Sequence, residues 1–250
     1  MDALLEATSR AERRHFWFAG FRRFVEPLVA QAAGGRVNLR VLDCGCGTGA
    51  NLALLGRAGR AFGFDLNERG LTLARQAGHR RITRATVEAL PFTDATFDLV
   101  TSFDVIYALP EAMEAAALAE MHRVLRPGGA LLVNVAAMPI LRGNHSVLSE
   151  ELRRYTRGSL RLVVERAGFA ITRLTYTNAS LFPLMLVVRA AQRLIGLAAT
   201  PEHAGLEITT PPRLVNAALT GLLRLEARAV RWVNMPFGGS LVCLARKSAG

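Results

Sequence analysis

A glycine-rich loop is the strongest chemical feature of this 250-residue chain. An apolar run ends at Asp43, and Gly45, Gly47 and Gly49 then alternate with small residues. A strand that breaks into glycines lets a ligand come close to the backbone, and the next helix offers free N–H groups. The spacing differs from the Gly-x-Gly-x-x-Gly fingerprint of dinucleotide sites, and Asp43 would repel a pyrophosphate. The loop therefore favours a ligand with a cationic amine.

A second acid, Asp65, ends the next strand-like run, 18 residues after Gly47. A carboxylate in this place can accept both hydroxyls of a ribose, although a helix-capping or turn aspartate is the structural alternative. Two strand-end carboxylates around a glycine loop, without a phosphate-binding lysine, indicate a pocket for a nucleoside joined to an amino acid.

Strand-like and helix-like runs alternate from residue 39 onward and would position these residues. The strand-like runs are 39–42, 61–65, 81–87, 97–103, 130–136 and 169–176, and the helix-like runs are 51–58, 67–76, 111–124 and 159–167. This order predicts an α/β fold with a doubly wound, mostly parallel sheet. Ligands of such sheets bind outside the carboxyl ends of the strands, where Asp43, Asp65, Val87 and Phe103 all fall.

The first 33 residues predict one or two helices. Ser9-Arg10-Ala11-Glu12 has the form of a capping box, and Pro27 predicts a break or kink. Five aromatic residues, Trp17 among them, lie within positions 16–24. They indicate either an aromatic face that packs on the core or a lid that excludes water from a ligand.

Composition limits the compartment and the partners. The net charge is +11, and 30 of the 31 basic residues are arginine. A positive excess favours anionic surfaces, but no nucleic-acid motif is present, so no nucleic-acid partner is expected. Three cysteines, two of them in the glycine loop, favour a reducing compartment. Without a signal-peptide or spanning pattern, we expect a cytoplasmic protein, free or peripheral on the inner membrane face, with no metal.

These motifs together resemble the class I S-adenosylmethionine-dependent methyltransferases, in the small-molecule branch with domains of types 11 and 23. Residues 41–49 are similar to the family's glycine motif, Phe64-Asp65 to its ribose-binding acid, 88–100 to its adenine-side loop and fourth strand, and 125–129 to the turn before strand five. The resemblance covers roughly residues 38–176. It implies a seven-stranded Rossmann-like sheet, with the seventh strand at 239–246.

The resemblance implies S-adenosylmethionine as the cofactor and gives each matching residue a role. The part of the glycine loop that would face the methionine moiety is the backbone of Asp43, Gly45, Cys46 and Gly47. Asp65 would hold the ribose, and Phe103 would lie near the sulfonium. Leu66 would pack on the face of the adenine, and the edge of the adenine would be read by Thr86 and Val87. Two positions depart from the pattern: Thr86 replaces an acid, and Tyr107-Ala108 replaces Glu-His.

The acceptor side offers fewer signals. Methyl transfer depends mainly on positioning, and a hydroxyl acceptor also needs a base, for which His145 is the candidate. Arg153-Arg154-Tyr155 resembles a segment of relatives that modify glycans or lipid-linked compounds. Tyr155 is then a second catalytic candidate, and Trp17, Arg153 and Arg154 would bind substrate, the arginines as an anion clamp. The structural alternatives are a solvent-exposed loop histidine and a basic pair beside a helix.

About 60 residues separate the sixth and seventh strands. The run 181–188 is apolar, and a helix after Pro211-Pro212 carries arginines along one stripe and apolar residues along another. Such a helix can lie in a membrane interface, so 180–235 is a candidate for peripheral membrane contact. Packing on the sheet or against a second subunit, in a homodimer, is the alternative.

We therefore expect a single methyltransferase domain over residues 1–250. It would comprise an N-terminal helical lid (1–36), a cofactor-binding core (37–178), a helical insert (179–235) and the last strand (236–250). The predicted reaction is methyl transfer to a small-molecule or lipid- or glycan-linked acceptor, with O-methylation favoured. A non-catalytic cofactor-binding or assembly module is the alternative, and the glycine spacing disfavours a nicotinamide dehydrogenase.

Overall fold

A computed structural model describes residues 2–143, 146, 149–195 and 210–248. The strands are β1 Leu39–Cys44, β2 Gly59–Asp65, β3 Ile82–Arg84, β4 Phe97–Phe103, β5 Leu125–Ala136, β6 Phe169–Thr177 and β7 Ser240–Lys247. The helices are α1 Asp2–Ala11, α2 Phe16–Ala33, α3 Leu52–Leu55, α4 Glu68–Gln76, α5 Glu111–Val124, α6 Arg157–Arg166, α7 Phe182–Ile195 and α8 Arg213–Val230. The strands form one sheet in the order β3-β2-β1-β4-β5-β7-β6.

The sheet is parallel except at one strand. β1 pairs in parallel with β2 and β4, while β7 runs antiparallel to both β5 and β6. The predicted doubly wound, mostly parallel seven-stranded sheet is confirmed. Strand order reverses between β1 and β4, and ligands of doubly wound sheets bind at the carboxyl ends of the strands around such a point. The glycine loop leaves β1 at this place.

Two apolar layers cover the sheet. Leu118 and Met121 of α5 pack on one cluster, and Val25 and Leu28 of α2 pack on another. Every residue of β4 is buried. Strands buried on both faces are near-continuous apolar runs, which explains why β4 was predicted with correct bounds.

The N-terminal segment differs from its sequence prediction. α2 runs through Pro27 without ending, so the predicted break is wrong. Burial of apolar α2 residues on both sides of Pro27 compensates the local cost of an interior proline, about 3 kcal/mol. The predicted capping box is also wrong, because Ser9 lies inside α1. His15 caps α2 instead, and its Nδ1 accepts from the Trp17 N–H at 3.2 Å.

Two strands have bounds that the sequence did not predict. β3 ends at Arg84, and Thr86 pairs with Ala89 in an isolated bridge outside the sheet. β5 begins at Leu125, because residues 125–129 already run beside β4 across a change of register. The Pro-Gly-Gly turn residues predicted a turn before β5, but pairing with β4 keeps these residues in the strand.

The insert between β6 and β7 contains α7 and α8, as predicted for its helical character. Leu223 of α8 packs in a cluster with Phe24 of α2 and Leu181, just before α7. The buried Glu226 accepts from the backbone N–H groups of Ala179 and Ser180, at 2.8 and 2.9 Å. α8 is therefore attached both to the N-terminal helices and to the start of α7. Within the described residues, no helix has the length and apolar character required to cross a bilayer.

Glu226→Ala is expected to destabilise the fold by about 2 kcal/mol, because two backbone donors lose a charged acceptor. The measurement is urea unfolding. Glu165→Ala is the control, since Glu165 is exposed and pairs only with Arg161 on its own helix; its expected effect is below about 0.5 kcal/mol. Equal effects of the two substitutions would show that Glu226 does not anchor α8.

Candidate functional site

The glycine loop uses its three glycines in two ways. Gly45, Gly47 and Gly49 have φ of +76°, +50° and +79°, which disfavours any side chain. A Cβ on Gly45 would lie 2.4 Å from a methyl of Val105, and one on Gly49 would lie 2.6 Å from the His79 ring. At Gly47 the nearest atom is 4.0 Å away. Two glycines therefore permit packing within the protein, and Gly47 leaves room for a ligand.

The carboxylate of Asp65 holds the loop against the next βα turn. One oxygen accepts from the Gly47 N–H at 2.7 Å, and the other accepts from the Asn67 N–H at 2.8 Å. Each carboxylate oxygen has a second lone pair. Asp65 can therefore order the loop and still accept hydrogen bonds from ribose hydroxyls.

Asp43 lies below the loop with 1% of its surface exposed. Its carboxylate accepts from the Thr101 hydroxyl at 2.6 Å. Burial raises the pKa of Asp43 to about 7; the hydrogen bond from Thr101 opposes this rise, and the charge of Asp65 adds to it. Its side chain is too buried for direct contact with a ligand, but its ionised form would attract a cation held above the loop.

Two predicted cofactor residues turn their side chains into the core. Cys46 packs with Leu52 and Leu71, while its N–H donates to the Phe64 carbonyl at 2.9 Å. The Phe103 ring lies edge-to-face with Phe21 of α2, with centroids 5.1 Å apart. Cys46 and Phe103 therefore offer a ligand their backbone and not their side chains. This arrangement does not favour a contact between the Phe103 ring and a sulfonium.

The adenine side is more open. Leu66 directly follows β2 and Val87 lies shortly after the neighbouring β3, so both lie at the same end of the sheet. Leu66 is 59% exposed, Val87 is partly buried, and Thr86 is exposed. An apolar side chain left open beside Asp65 fits the face of an adenine. Together with the space at Gly47, these residues fit S-adenosylmethionine.

α1 lies over the glycine loop. Both carboxylate oxygens of Glu12 are 2.8 Å from the Thr48 hydroxyl, and Glu6 pairs with Arg69 of α4 at 2.6 Å. Burial raises the pKa of Glu12. Trp17 packs farther away, in the cluster that joins α2 to α7 and α8. The turn directly after α1 therefore contacts the loop through Glu12, whereas Trp17 attaches the N-terminal helices to the insert.

The Arg-Arg-Tyr segment, residues 153–155, forms hydrogen bonds with neighbouring parts of the fold. Arg153 pairs with Glu114 of α5 at 2.5 Å, and the buried Tyr155 hydroxyl donates to the same carboxylate. Arg154 is almost fully buried and donates to the carbonyls of Ala137 and Gly239, at 2.7 and 3.2 Å. These contacts attach the segment to the rest of the fold and add no support for an anion clamp of Arg153 and Arg154 or for a catalytic role of Tyr155, which stay predictions. His145 lies outside the described residues.

A carboxyl that the sequence reasoning missed lies at the acceptor end of the sheet. Asp104 directly follows β4, and its carboxylate accepts from the side-chain amide of Asn134 in β5 at 2.8 Å. Asp104 is an exposed residue. The protein around its carboxyl nevertheless raises the pKa of Asp104 to about 7 by desolvation, and the hydrogen bond from Asn134 opposes this rise.

Asn134 also presents an unsatisfied group. Its side-chain oxygen is buried and has no hydrogen-bond partner in the described part of the protein. Such groups are rare and are often found at functional sites. The signal that could have revealed the pair is a polar residue directly after a buried parallel strand. Asp104 also has φ +59°, a conformation that aspartate tolerates better than most residues.

Comparison with known proteins places this geometry in context. The family model described as "Methyltransferase domain" matches residues 42–133. The ubiquinone/menaquinone biosynthesis C-methyltransferase UbiE of Shewanella halifaxensis is 29% identical over 197 residues, which cover 64% of this chain and 76% of that protein. The UbiE protein of Shewanella sp. ANA-3 is 35% identical over 126 residues, 46% of this chain and 49% of that protein. The chain thus spans about half the length of the second relative.

Solved structures agree on the fold. A chain in the complex of the Haloferax volcanii Trm112 methyltransferase activator with a methyltransferase superposes with a TM-score of 0.63, at 18% identity, over 99% of this chain and 97% of its own length. An S-adenosylmethionine-dependent methyltransferase from Mesorhizobium loti superposes with a TM-score of 0.55, at 21% identity, over 88% of this chain and 96% of its own length.

Asp65→Ala is expected to weaken S-adenosylmethionine binding by about 100-fold, because the ligand loses a charged acceptor and the loop loses its attachment. Isothermal titration calorimetry gives the affinity. Asp94→Ala, which removes an exposed carboxylate paired with Arg123, is the control and should bind like the wild type. Unchanged affinity in Asp65→Ala would exclude the ribose role.

Asp43 predicts a pH-dependent stability of the ligand-free protein. A buried carboxyl with a raised pKa stabilises the fold when protonated, and this contribution is lost as the pH rises through about 7. The melting temperature should therefore fall as the pH rises from about 4, the ordinary pKa of an aspartate, to about 7, should level off above about pH 7, and should fall less in Asp43→Asn. Asp104 titrates in the same range, so the difference in slope between wild type and variant is the test. Identical slopes would contradict the assignment.

Proposed function

Because this chain is an S-adenosylmethionine-dependent methyltransferase, we propose that it methylates the acidic hydroxyl of a small-molecule or lipid- or glycan-linked acceptor. The observation that supports this proposal is the exposed carboxyl of Asp104, which directly follows β4 and accepts from the side-chain amide of Asn134 at 2.8 Å. The protein around it raises its pKa to about 7. General bases work best when their pKa lies near the working pH. Methylation of a neutral amine needs no such base.

In this proposal each part of the site has one task. Bound S-adenosylmethionine would supply an electrophilic methyl group. Asp65 would hold the ribose, and ionised Asp43 would favour a cationic ligand above the loop. The contact of Glu12 with Thr48 keeps α1 over the loop, where it would limit access of water.

Asp104 would take the proton of the acceptor hydroxyl. Its hydrogen bond from Asn134 fixes the carboxylate. The relatives named above are C-methyltransferases. Removing the hydroxyl proton of an enol or a phenol also makes the carbon next to that oxygen nucleophilic, so the same base would serve C-methylation. The atom that carries the new methyl group in the product distinguishes the O-reaction from the C-reaction.

A lipid-linked acceptor would require the protein to reach a membrane surface. We propose that residues 180–235 provide a peripheral contact, and a homodimer through the same segment is the alternative. The exposed positions of α7, which are apolar apart from Arg193, support an external partner of one of these kinds.

A non-catalytic cofactor-binding module is the second candidate. One structural neighbour was solved with a methyltransferase activator, which is the observation in favour of activity that depends on a partner protein. This candidate predicts cofactor binding without transfer of labelled methyl to any fraction of a host extract. Transfer by the isolated chain would exclude it.

Asp104→Asn is expected to lower kcat by about 10²- to 10⁴-fold, the usual contribution of general base catalysis. Transfer of labelled methyl to soluble and lipid extracts measures kcat, and calorimetry should show unchanged S-adenosylmethionine affinity. In the wild type, kcat should rise as the pH passes about 7, since the ionised carboxylate accepts the proton. Asp94→Asn is the control. Full activity of Asp104→Asn, or a pH profile that it leaves unchanged, would disprove the role.

A further inference from the structure

α8 has a divided outer surface. Successive helical residues are about 100° apart, so Leu214, Leu222 and Leu225 lie on one side of α8, within about 80° of one another, and Trp232 follows two residues after the helix ends. We call these four residues the apolar stripe. Leu214 and Trp232 are 87% and 88% exposed, and Leu225 is 62% exposed. Isolated apolar residues at a surface are ordinary, whereas a continuous stripe indicates an interaction site.

A row of arginines lies beside the apolar stripe. Arg224, Arg228 and Arg231 of the α8 segment, together with Arg23 of α2, line a cleft of about 390 Å³, which we call the basic cleft. Across the described part of the chain, none of these four guanidinium groups has an ion-pair or side-chain hydrogen-bond partner. The one carboxylate that lines the cleft, Glu26, pairs with Arg57 at 2.8 Å. The cleft is therefore strongly positive and suited to an anion.

The exposed face of α7 is mostly apolar, whereas the exposed face of a helix is usually polar. Its exposed positions carry only apolar residues, Pro183, Leu184, Val187, Val188, Ala190, Ala191 and Leu194, apart from Arg193. Its polar side chains make contacts within the protein: Arg189 donates to Gln192 at 2.6 Å, and the exposed Arg193 donates to the carbonyls of Ile140 and Arg142. Met185 of α7 and Leu219 of α8 pack on the same buried cluster. Because α7 and α8 pack on one cluster, their exposed apolar faces are parts of the same helical insert.

We propose that the insert binds the surface of an anionic lipid bilayer, with the apolar stripe in the interface and lipid phosphates in the basic cleft. The proposal rests on the peripheral contact proposed above and assigns its residues. Interfacial helices combine an arginine-rich face with an apolar one, and tryptophan favours the headgroup level. The net charge of +11 adds long-range attraction to an anionic surface.

Two other occupants fit less well. A twofold dimer would place this patch against its own copy, so that the unpaired arginines of two basic clefts would approach each other. A nucleic acid would satisfy the arginines but would leave the apolar stripe in water. Only an anionic bilayer satisfies both the stripe and the cleft.

The test is flotation of the full chain with phosphatidylcholine vesicles, with and without phosphatidylglycerol. The wild type should bind only the anionic vesicles and should be released by salt. R224Q/R228Q/R231Q should bind at least about 10-fold more weakly, since each basic residue contributes separately near an anionic surface. L225E/W232E should also lose binding, although its net charge falls by only two.

R60Q/R80Q/R81Q is the matched control. It removes the same charge from exposed arginines around β2 and β3, at the opposite edge of the sheet, and should bind within about twofold of the wild type. Circular dichroism confirms that each variant is folded. Equal weakening of both triple variants would overturn the proposal, because only total charge would then matter.

Further outcomes separate this proposal from the catalytic one. A wild type that does not bind anionic vesicles, or a dimer that L225E/W232E converts to monomer, overturns the bilayer assignment. S-adenosylmethionine affinity and methyl transfer to soluble acceptors should be unchanged in all these variants, since none lies in the cofactor site. Vesicle binding without any methyl transfer would count against the proposed reaction and leave the surface assignment intact.

Discussion

The hydrogen bonds of Asp65 to two backbone N–H groups hold the ligand end of the sheet together. The carboxylate ends β2, accepts from Gly47 in the loop after β1, and accepts from Asn67 at the start of α4. The loop after β1 and the turn from β2 to α4 thereby meet at one charged group, although Gly47 and Asp65 are 18 residues apart in sequence. Because hydrogen bonds to charged groups are stronger than those between neutral ones, this carboxylate gives the glycine loop a defined shape before any ligand arrives.

The sequence predicted the local structure of this half of the site, because a glycine loop after one strand and an acid at the end of the next depend on local pattern. Alternating glycines after an apolar strand require a sharp loop, and an acid at the end of the next parallel strand must lie beside it. The structure gives two of the glycines a different role from the predicted approach of a ligand to the backbone. Gly45 and Gly49 leave room for Val105 and His79, and only Gly47 leaves space toward the ligand.

The other half depends on tertiary contacts that no local pattern contains. Arg153, Arg154 and Tyr155 have the composition of an anion site, yet their partners are Glu114 and backbone carbonyls from distant elements. Pro27 would break an isolated helix, but packing keeps α2 continuous. Asp104 carries no motif, and its significance follows from desolvation and from Asn134 on the neighbouring strand.

The attachment of α1 has a consequence for how the ligand end of the sheet responds to salt. Glu12, in the turn after α1, accepts from the Thr48 hydroxyl in the glycine loop, and Glu6 of α1 pairs with Arg69 of α4. Lifting this ten-residue helix would therefore break both an inner contact and an exposed outer ion pair. Salt weakens the exposed outer pair far more than the inner contact. The ionic strength of the surroundings would therefore change how firmly α1 is held against the glycine loop, at a distance from the loop itself.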